Sequence, residues 1–140
     1  MEWSYKGLFA IFSGIFIYIF GGWHELFGVF IALWFLDVVT GLVASGKEGK
    51  ISSYRGLLGI GKKVIIFCLI SLGHFADVIL ETGDVIRNAT LMWFVVNEMV
   101  SIVENCGRAG MAIPPKLQQA IDILRPKENK PDDENKGASK

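Results

Sequence analysis

The chain has 140 residues, 51% of them apolar, and its formal net charge at neutral pH is zero. A zero net charge gives no strong attractive field for nucleic acid. The two cysteines, Cys68 and Cys106, show no metal-type spacing with the two histidines, and their surroundings do not indicate a disulfide framework. The apolar residues gather in four blocks instead of the short periodic runs of a small soluble domain. We therefore predict an all-α integral membrane protein that is not an enzyme and needs no cofactor or metal.

The four apolar blocks predict transmembrane helices within residues 1–111, at about 8–22, 26–44, 64–80 and 89–103. The first block is short for a hydrocarbon core of ~30 Å. Trp3, Tyr5 and Trp23 flank this block, as aromatic residues do at membrane interfaces. The fourth block is the weakest, because it is short and contains Asn97 and Glu98. A three-helix alternative, with the fourth block at the membrane surface, stays open.

The distribution of basic residues predicts the orientation. The turn after the first block has none, the loop after the second has five, and the loop after the third has one, Arg87. More basic residues follow the fourth block. Because basic loops remain in the cytoplasm, these alternating counts favour four spans with both termini cytoplasmic. Three spans would instead place the basic C-terminal part outside.

After the fourth block, the sequence predicts a short amphipathic helix over residues 112–125. Pro114 and Pro115 open it, because proline is favoured in the first turn of a helix. Leu117, Ile121 and Leu124 follow at helical spacing. The helix is too short to span a bilayer. The polar remainder, residues 126–140, is expected to be disordered.

Three glycines, Gly7 just before the first block and Gly14 and Gly21 within it, recur every seven residues. On a helix this spacing places them on one face, where the absence of side chains lets another helix approach closely. The strip is therefore a candidate association surface. The general abundance of glycine in membrane helices is an equally good explanation.

Acidic residues inside the blocks are the strongest candidates for function. A charge at the bilayer centre costs at least ~2.5–3.5 kcal/mol, so each acid must face another helix, water or the interface. Asp37, Asn97 and Glu98 are candidates to line a water-filled lumen or to associate helices. Asp37 also has a positional explanation, because it lies toward a helix end. Asp77 and His74, three residues apart, predict a satisfied interfacial pair more readily than a proton relay.

The basic loop ends in a glycine-rich segment that nearly matches the phosphate-binding P-loop. Lys63 stands where that motif needs serine or threonine, and no strand precedes it, so nucleotide binding is not indicated. Arg55, Lys62 and Lys63 are instead predicted to anchor the topology and to contact anionic lipid. Ser52 or Ser53 could cap a short helix that runs toward Lys62.

Several segments occur in a specific order between about residues 26 and 125. They are Leu36-Asp37-Val38-Val39-Thr40-Gly41, the run from Gly56 to Lys63, Asn97-Glu98 with the stretch from Ser101 to Gly110, and Ile113-Pro114-Pro115. In this combination the chain resembles the toxin-secretion and phage-lysis holin family. Two features depart from the family pattern. The methionine after Met1 is Met92, so a dual-start inhibitor form is not evident, and the family is often described with three spans.

The resemblance implies a protein of the bacterial host's cytoplasmic membrane that forms homo-oligomers and opens holes at a set time. An endolysin or a toxin would pass through those holes without necessarily contacting the protein. The bilayer and other copies of the chain are then its partners. A small ion channel or transporter subunit is the alternative function, and a purely structural membrane scaffold is a further one.

Overall fold

The computed structural model describes the backbone of residues 2–49 and 53–125, and the side chains of residues 5–49 and 59–125. Over these residues the chain is all-α, as predicted. Its helices are α1 (Glu2–Phe20), α2 (Glu25–Lys47), α3 (Ser53–Leu80), α4 (Val85–Arg108) and α5 (Pro115–Leu124). The predicted disordered tail, residues 126–140, lies outside the described part of the chain.

The turn between α1 and α2 follows from its local sequence. Gly21 and Gly22 have φ values of +73° and +97°, in the left-handed region that glycine adopts without a steric penalty. His24 then caps α2, because its Nδ1 accepts a hydrogen bond from the backbone N–H of Phe27 at 3.1 Å. This cap satisfies one of the N–H groups that a helix start leaves without an intrahelical partner.

α3 is longer than the predicted span at 64–80. It continues back to Ser53, so the predicted short helix of the basic loop is the first part of α3. The glycines in this part weaken a helix by about 1 kcal/mol each, but none breaks it as proline would. Consequently Lys62 and Lys63 lie within a long helix instead of a loop.

Two segments are long and apolar enough to cross a membrane, namely Glu25–Lys47 and Gly59–Leu80. α1 contributes a shorter apolar stretch, Tyr5–Phe20. Many large apolar side chains on these helices point outward, including Phe9 and Ile79. An outward apolar surface of this size suits a lipid environment better than water. The molecule is a membrane protein; the number of spans stays a prediction.

α4 is the least apolar of the four long helices and lies centrally, packed closely against both α2 and α3. α1 packs on α3, and α5 packs on α4. Contacts between helix ends show that α2 and α4 run parallel, with α3 antiparallel to them. We call the end formed by Lys47, Ser53 and Arg108 the basic end. The other end, where α3 meets α4, is the opposite end.

An apolar core lies between α2, α3 and α4. It contains Phe27, Phe30, Ile70, Leu91 and Val95, all buried. Phe67 closes one side of the core, with its ring 5.7 Å from that of Phe30 and 6.0 Å from that of Phe20 of α1. These contacts seal the middle of the bundle against water.

Candidate functional site

A cluster of three charged residues lies inside the helix bundle. The Lys63 Nζ of α3 donates to Asp37 Oδ2 of α2 at 3.1 Å, and it also donates to Glu98 Oε2 of α4. The three side chains are 14%, 16% and 5% exposed, respectively. We call this group the charge cluster. It joins the three helices that also form the apolar core.

The depth of the charge cluster follows from helix geometry. Asp37 lies about 15 Å along α2 from Lys47, Lys63 about 15 Å along α3 from Ser53, and Glu98 about 15 Å along α4 from Arg108. All three positions are therefore well inside the bundle. Charges at such depth persist only when they are paired and hydrogen-bonded.

A chain of hydrogen bonds links the charge cluster to the basic end. Asn105 Nδ2 donates to Asp37 Oδ1 at 3.0 Å and to Thr40 Oγ1 at 3.3 Å. Arg108 Nη1 donates to Asn105 Oδ1 at 3.2 Å. Arg108 also forms a two-pronged pair with Glu48, at 2.9 and 3.1 Å. This polar chain of Asn105, Arg108 and Glu48 fixes α2 beside α4.

The charges of the cluster do not cancel when all three residues are ionised. Two carboxylates share one ammonium, so the formal sum is −1. Removing one partner of a buried ion pair costs about 3–5 kcal/mol, because the remaining charge stays buried without compensation. Lys63 is therefore the residue on which the burial of both Asp37 and Glu98 depends.

A second polar group holds the opposite end together. Asp77 of α3 accepts hydrogen bonds from the backbone N–H groups of Ile86 and Arg87, at 2.8 and 2.7 Å, and so caps α4. The Arg87 side chain is buried and donates to the carbonyl of Phe20 at 3.1 Å, across the end of α1. Arg87 also pairs with Asp84 at 3.1 Å. These bonds connect α1, α3 and α4.

The carboxylate of Asp77 therefore faces α4 rather than the predicted partner, His74. Within the described residues, His74 Nδ1 is buried without a hydrogen-bond partner. Near this end, burial lowers the pKa of the His24 imidazole, and the nearby Arg87 guanidinium lowers that pKa further, against the opposite effect of Asp84. His24 is thus held in the neutral form that caps α2.

The structure divides the predicted site residues into two groups. Asp37 and Glu98 meet in the charge cluster. Asn97, next to Glu98 in sequence, is exposed on the outside of α4. Lys63 differs from its prediction as a lipid contact, because its ammonium is directed at the two carboxylates. Lys62 is exposed, and the side chain of Arg55 lies outside the described residues.

The structure separates the three glycines of the predicted strip into two different settings. A Cβ atom at Gly7 or Gly14 would meet nothing within 4 Å, so this face of α1 is open in the single chain. Gly21 lies beyond the end of α1. A Cβ there would collide with Arg87 Nη1 and would lie 2.7 Å from His74 Nδ1. Gly21 therefore serves the turn and makes room for Arg87, and it is not part of a helical strip.

Sequence reasoning missed Asn105, Thr40 and Arg87. Thr40 follows Asp37 by three residues, a spacing that places both on one helix face. That spacing could have indicated a polar patch on α2 that needs a hydrogen-bonding partner on another helix. Asn105 and Arg87 gave no comparable signal, because each acts across a distance of more than 60 residues along the chain.

No group of three or more metal-binding side chains occurs in the part of the chain that the structure describes. The charge cluster pairs its carboxylates with an ammonium. What the arrangement offers chemically is a set of three buried charges on three separate helices, in which two carboxylates pair with one ammonium. If the helices separate, water can replace the ion pairs and hydrate each of the three charged groups.

Comparisons with known proteins assign the chain to a family. The bacteriophage holin family model matches residues 14–126. An uncharacterized protein of Halalkalibacterium halodurans is 39% identical over 135 residues, which cover 93% of this chain and 97% of that protein. A probable holin of Bacillus phage phi105 is 25% identical over 107 residues, covering 76% of this chain and 78% of the phage protein. No solved structure matches the chain. The family match extends over most of the sequence, including all three residues of the charge cluster, and the chain therefore belongs to the bacteriophage holin family.

Proposed function

We propose that this protein is a holin that oligomerises in the bacterial cytoplasmic membrane and forms holes that release an endolysin or a toxin. The observation that carries this proposal is the charge cluster of Lys63, Asp37 and Glu98, buried between three helices of a membrane protein. Membership of the bacteriophage holin family supports it. The alternating basic loops further support four spans with both termini in the cytoplasm, which assigns the basic end of the bundle to the cytoplasmic side.

The charge cluster supplies a physical basis for a silent and an open state. In a single chain the Lys63 ammonium pairs with both carboxylates inside the bundle, so insertion exposes none of the three charges to lipid. Desolvating an ion costs several kcal/mol even after relaxation. Exposing the same side chains to a water-filled lumen would recover hydration energy. A lumen large enough to hold water needs helices from several copies, so the gain is available only after association.

Association has suitable surfaces in this chain. Gly7 and Gly14 leave one face of α1 open, and close helix approach over small residues stabilises membrane assemblies. Two features of the molecule therefore support a holin. One is an outer surface that can bring copies together, and the other is an inner set of charges that favours water once the copies rearrange.

A small ion channel remains the alternative function. The polar chain from Glu48 through Arg108 and Asn105 gives a single chain a hydrophilic path from the basic end to the charge cluster. Beyond the cluster, the apolar core around Phe30 and Ile70 interrupts that path. This arrangement argues against conduction through one copy and favours a multi-copy hole.

Controlled expression in a bacterium, with and without an endolysin that lacks its own export signal, tests the proposal. With active endolysin we expect abrupt lysis and release of a cytosolic reporter enzyme. With a catalytically inactive endolysin we expect loss of membrane potential but no lysis. An ion-selective current without endolysin release would identify a channel. A membrane that keeps its potential at high expression would identify a scaffold, and either result would overturn the holin proposal.

A further inference from the structure

Asn97 carries an amide at the middle of α4, on the outside of the bundle. α4 runs from Val85 to Arg108, so Asn97 is near its midpoint. The side chain is exposed, and among the described residues its amide has no hydrogen-bond partner. Its neighbour Glu98 lies about 100° further around the helix and is buried in the charge cluster. In hydrocarbon an exposed amide can be satisfied only by another protein molecule or by water in a lumen.

The surface around Asn97 is shaped for another helix. Ala89, Trp93, Asn97 and Val100 are spaced by about one turn and form a stripe along α4. An apolar groove between α3 and α4 lies beside the part of this stripe that is nearer the opposite end of the bundle. The groove has a volume of about 410 Å³, and its lining includes Leu69, Leu72, Ala76, Thr90, Trp93 and Phe94. Trp93, which is 53% exposed, belongs to both the stripe and the groove.

We infer that the stripe of Ala89, Trp93, Asn97 and Val100, with the adjoining groove, is the surface on which a second copy of this chain docks. The inference rests on the proposed function, because it requires α4 to span the membrane. It deepens that function by naming the contact through which the first pair of copies forms.

Symmetry and hydrogen-bonding chemistry select a second copy as the occupant. Two copies inserted with the same topology are related by a two-fold axis along the membrane normal. A residue that lies next to such an axis meets its own equivalent at the same depth. Asn97 then meets Asn97 of the second copy at the same depth. An amide has both donor and acceptor groups, so two of them satisfy each other, which two carboxylates or two ammonium groups cannot do.

Disulfide trapping in bacterial membranes tests this contact. The native Cys68 and Cys106 are first replaced by alanine, in full-length protein that is shown to accumulate like the parent. Asn97→Cys is then compared with Met92→Cys, a matched control on the same helix. Met92 is also exposed, at 45%, but it points about 140° away around α4. We expect crosslinked dimer to form several-fold faster at position 97, and equal or faster crosslinking at position 92 would overturn the inference.

Substitutions that leave the cysteines in place give a second readout. Interhelical side-chain hydrogen bonds in membranes correspond to about three- to fifteen-fold in an association constant. We therefore expect Asn97→Leu to weaken dimerisation in detergent or lipid vesicles by about that factor, and Asn97→Gln to retain most of it. Unchanged dimerisation of Asn97→Leu would contradict the inference. Delayed hole opening with unchanged dimerisation would assign Asn97 to the lumen instead.

The outcomes for the two proposals can be separated. Lysis by the parent chain with co-expressed endolysin tests the holin function without any reference to residue 97. If the parent lyses cells but position 97 neither crosslinks nor affects dimerisation, the docking surface is wrong and the holin function stands. If the parent neither releases endolysin nor depolarises the membrane, the holin function itself fails.

Discussion

The Lys63 ammonium lies 3.1 Å from the Asp37 carboxylate, although the two residues belong to helices whose described backbones do not approach each other closely. α4 lies against both helices, and the long lysine side chain reaches past it to α2. Glu98 of α4 accepts a hydrogen bond from the same ammonium. One flexible cation on α3 therefore compensates two anions on two different helices. Its removal should affect the bundle as a whole.

Replacement of Lys63 by methionine removes that compensation while retaining an unbranched side chain of similar volume. We expect Lys63→Met to lower the free energy of unfolding by about 3–5 kcal/mol, because two buried carboxylates lose their partner. Thermal or denaturant unfolding in detergent micelles measures the loss. The neighbouring Lys62 is exposed, so Lys62→Met should stay within about 0.5 kcal/mol of the parent.

A triple variant checks the cause of that loss. Neutralising all three positions, with Lys63→Met, Asp37→Asn and Glu98→Gln together, removes the uncompensated charges and should recover much of the lost stability. If the triple variant is as unstable as Lys63→Met alone, the packing of the lysine stem and not its charge holds the helices together.

Glu98→Gln is expected to delay hole opening. Glutamine keeps an oxygen that can accept from Lys63, but it reduces the formal charge of the cluster from −1 to zero. A neutral cluster gains less from hydration in a lumen, so the closed state persists longer. The time from induction to loss of membrane potential, at matched protein levels, measures the delay. Glu81→Gln, at an exposed position in the loop before α4, is the control and should keep the parental timing.

Gly21→Ala should destabilise the turn between α1 and α2 more than Gly22→Ala. Both substitutions strain a left-handed backbone, at about 1–2 kcal/mol each. Only the Cβ at position 21 would also collide with the Arg87 guanidinium, whereas nothing lies within 4 Å of a Cβ at position 22. Unfolding midpoints in micelles should therefore be lower for Gly21→Ala. Equal midpoints would show that Arg87 moves aside without loss.

Stability should decrease in mildly acidic solution because of His24. Its folded-state pKa lies below the ordinary value, so the unfolded chain binds more protons in this range. The contribution of the neutral imidazole is complete above a pH of about 6.5 and is lost as the pH falls through the lower folded-state value. His24→Asn provides a cap that does not titrate. The difference in unfolding midpoint between parent and variant should therefore change between pH 7.5 and 5, and a constant difference would contradict this role.

The four-span topology predicts the location of reporter fusions. Fusions after Glu25 and after Asp84 should report an external position, and fusions after Gly49 and Lys127 a cytoplasmic one. The physical reason is the retention of basic loops in the cytoplasm. An external signal at Lys127 would instead support three spans, with α4 on the membrane surface.

Much of the helical architecture could be predicted from the sequence, because long apolar blocks specify helices whatever their partners. The extension of α3 through the basic segment was not predicted. The sequence predicts only a separate short helix from Ser52 or Ser53 toward Lys62, ahead of the span at 64–80. The two join into one helix because a helix tolerates glycine when no proline interrupts it. Once α3 is continuous, Lys63 shares a face with Phe67 and Ile70, and this face is the one that enters the bundle.

The partners of the buried charges could not be predicted for a related reason. Asp37 and Glu98 were recognised as costly in lipid, but the sequence could not identify which cation compensates them. Helix periodicity gives the direction of a side chain around its own helix and not the neighbour that it meets. Asp77 illustrates the same point, because its partners are backbone N–H groups of α4, which carry no sequence signature.

The order of the charge cluster along the chain has a consequence for biosynthesis. In the proposed four-span topology, Asp37 would enter the membrane first, Lys63 second and Glu98 last, because ribosomal synthesis proceeds from the N-terminus. The first two can neutralise each other once α3 is inserted, so within the charge cluster an unpaired charge is present only between the insertion of α2 and that of α3. Glu98, the second anion, arrives with α4 when its cation is already in place. A ribosome pause between α2 and α3 should therefore reduce the membrane yield more than a pause between α3 and α4.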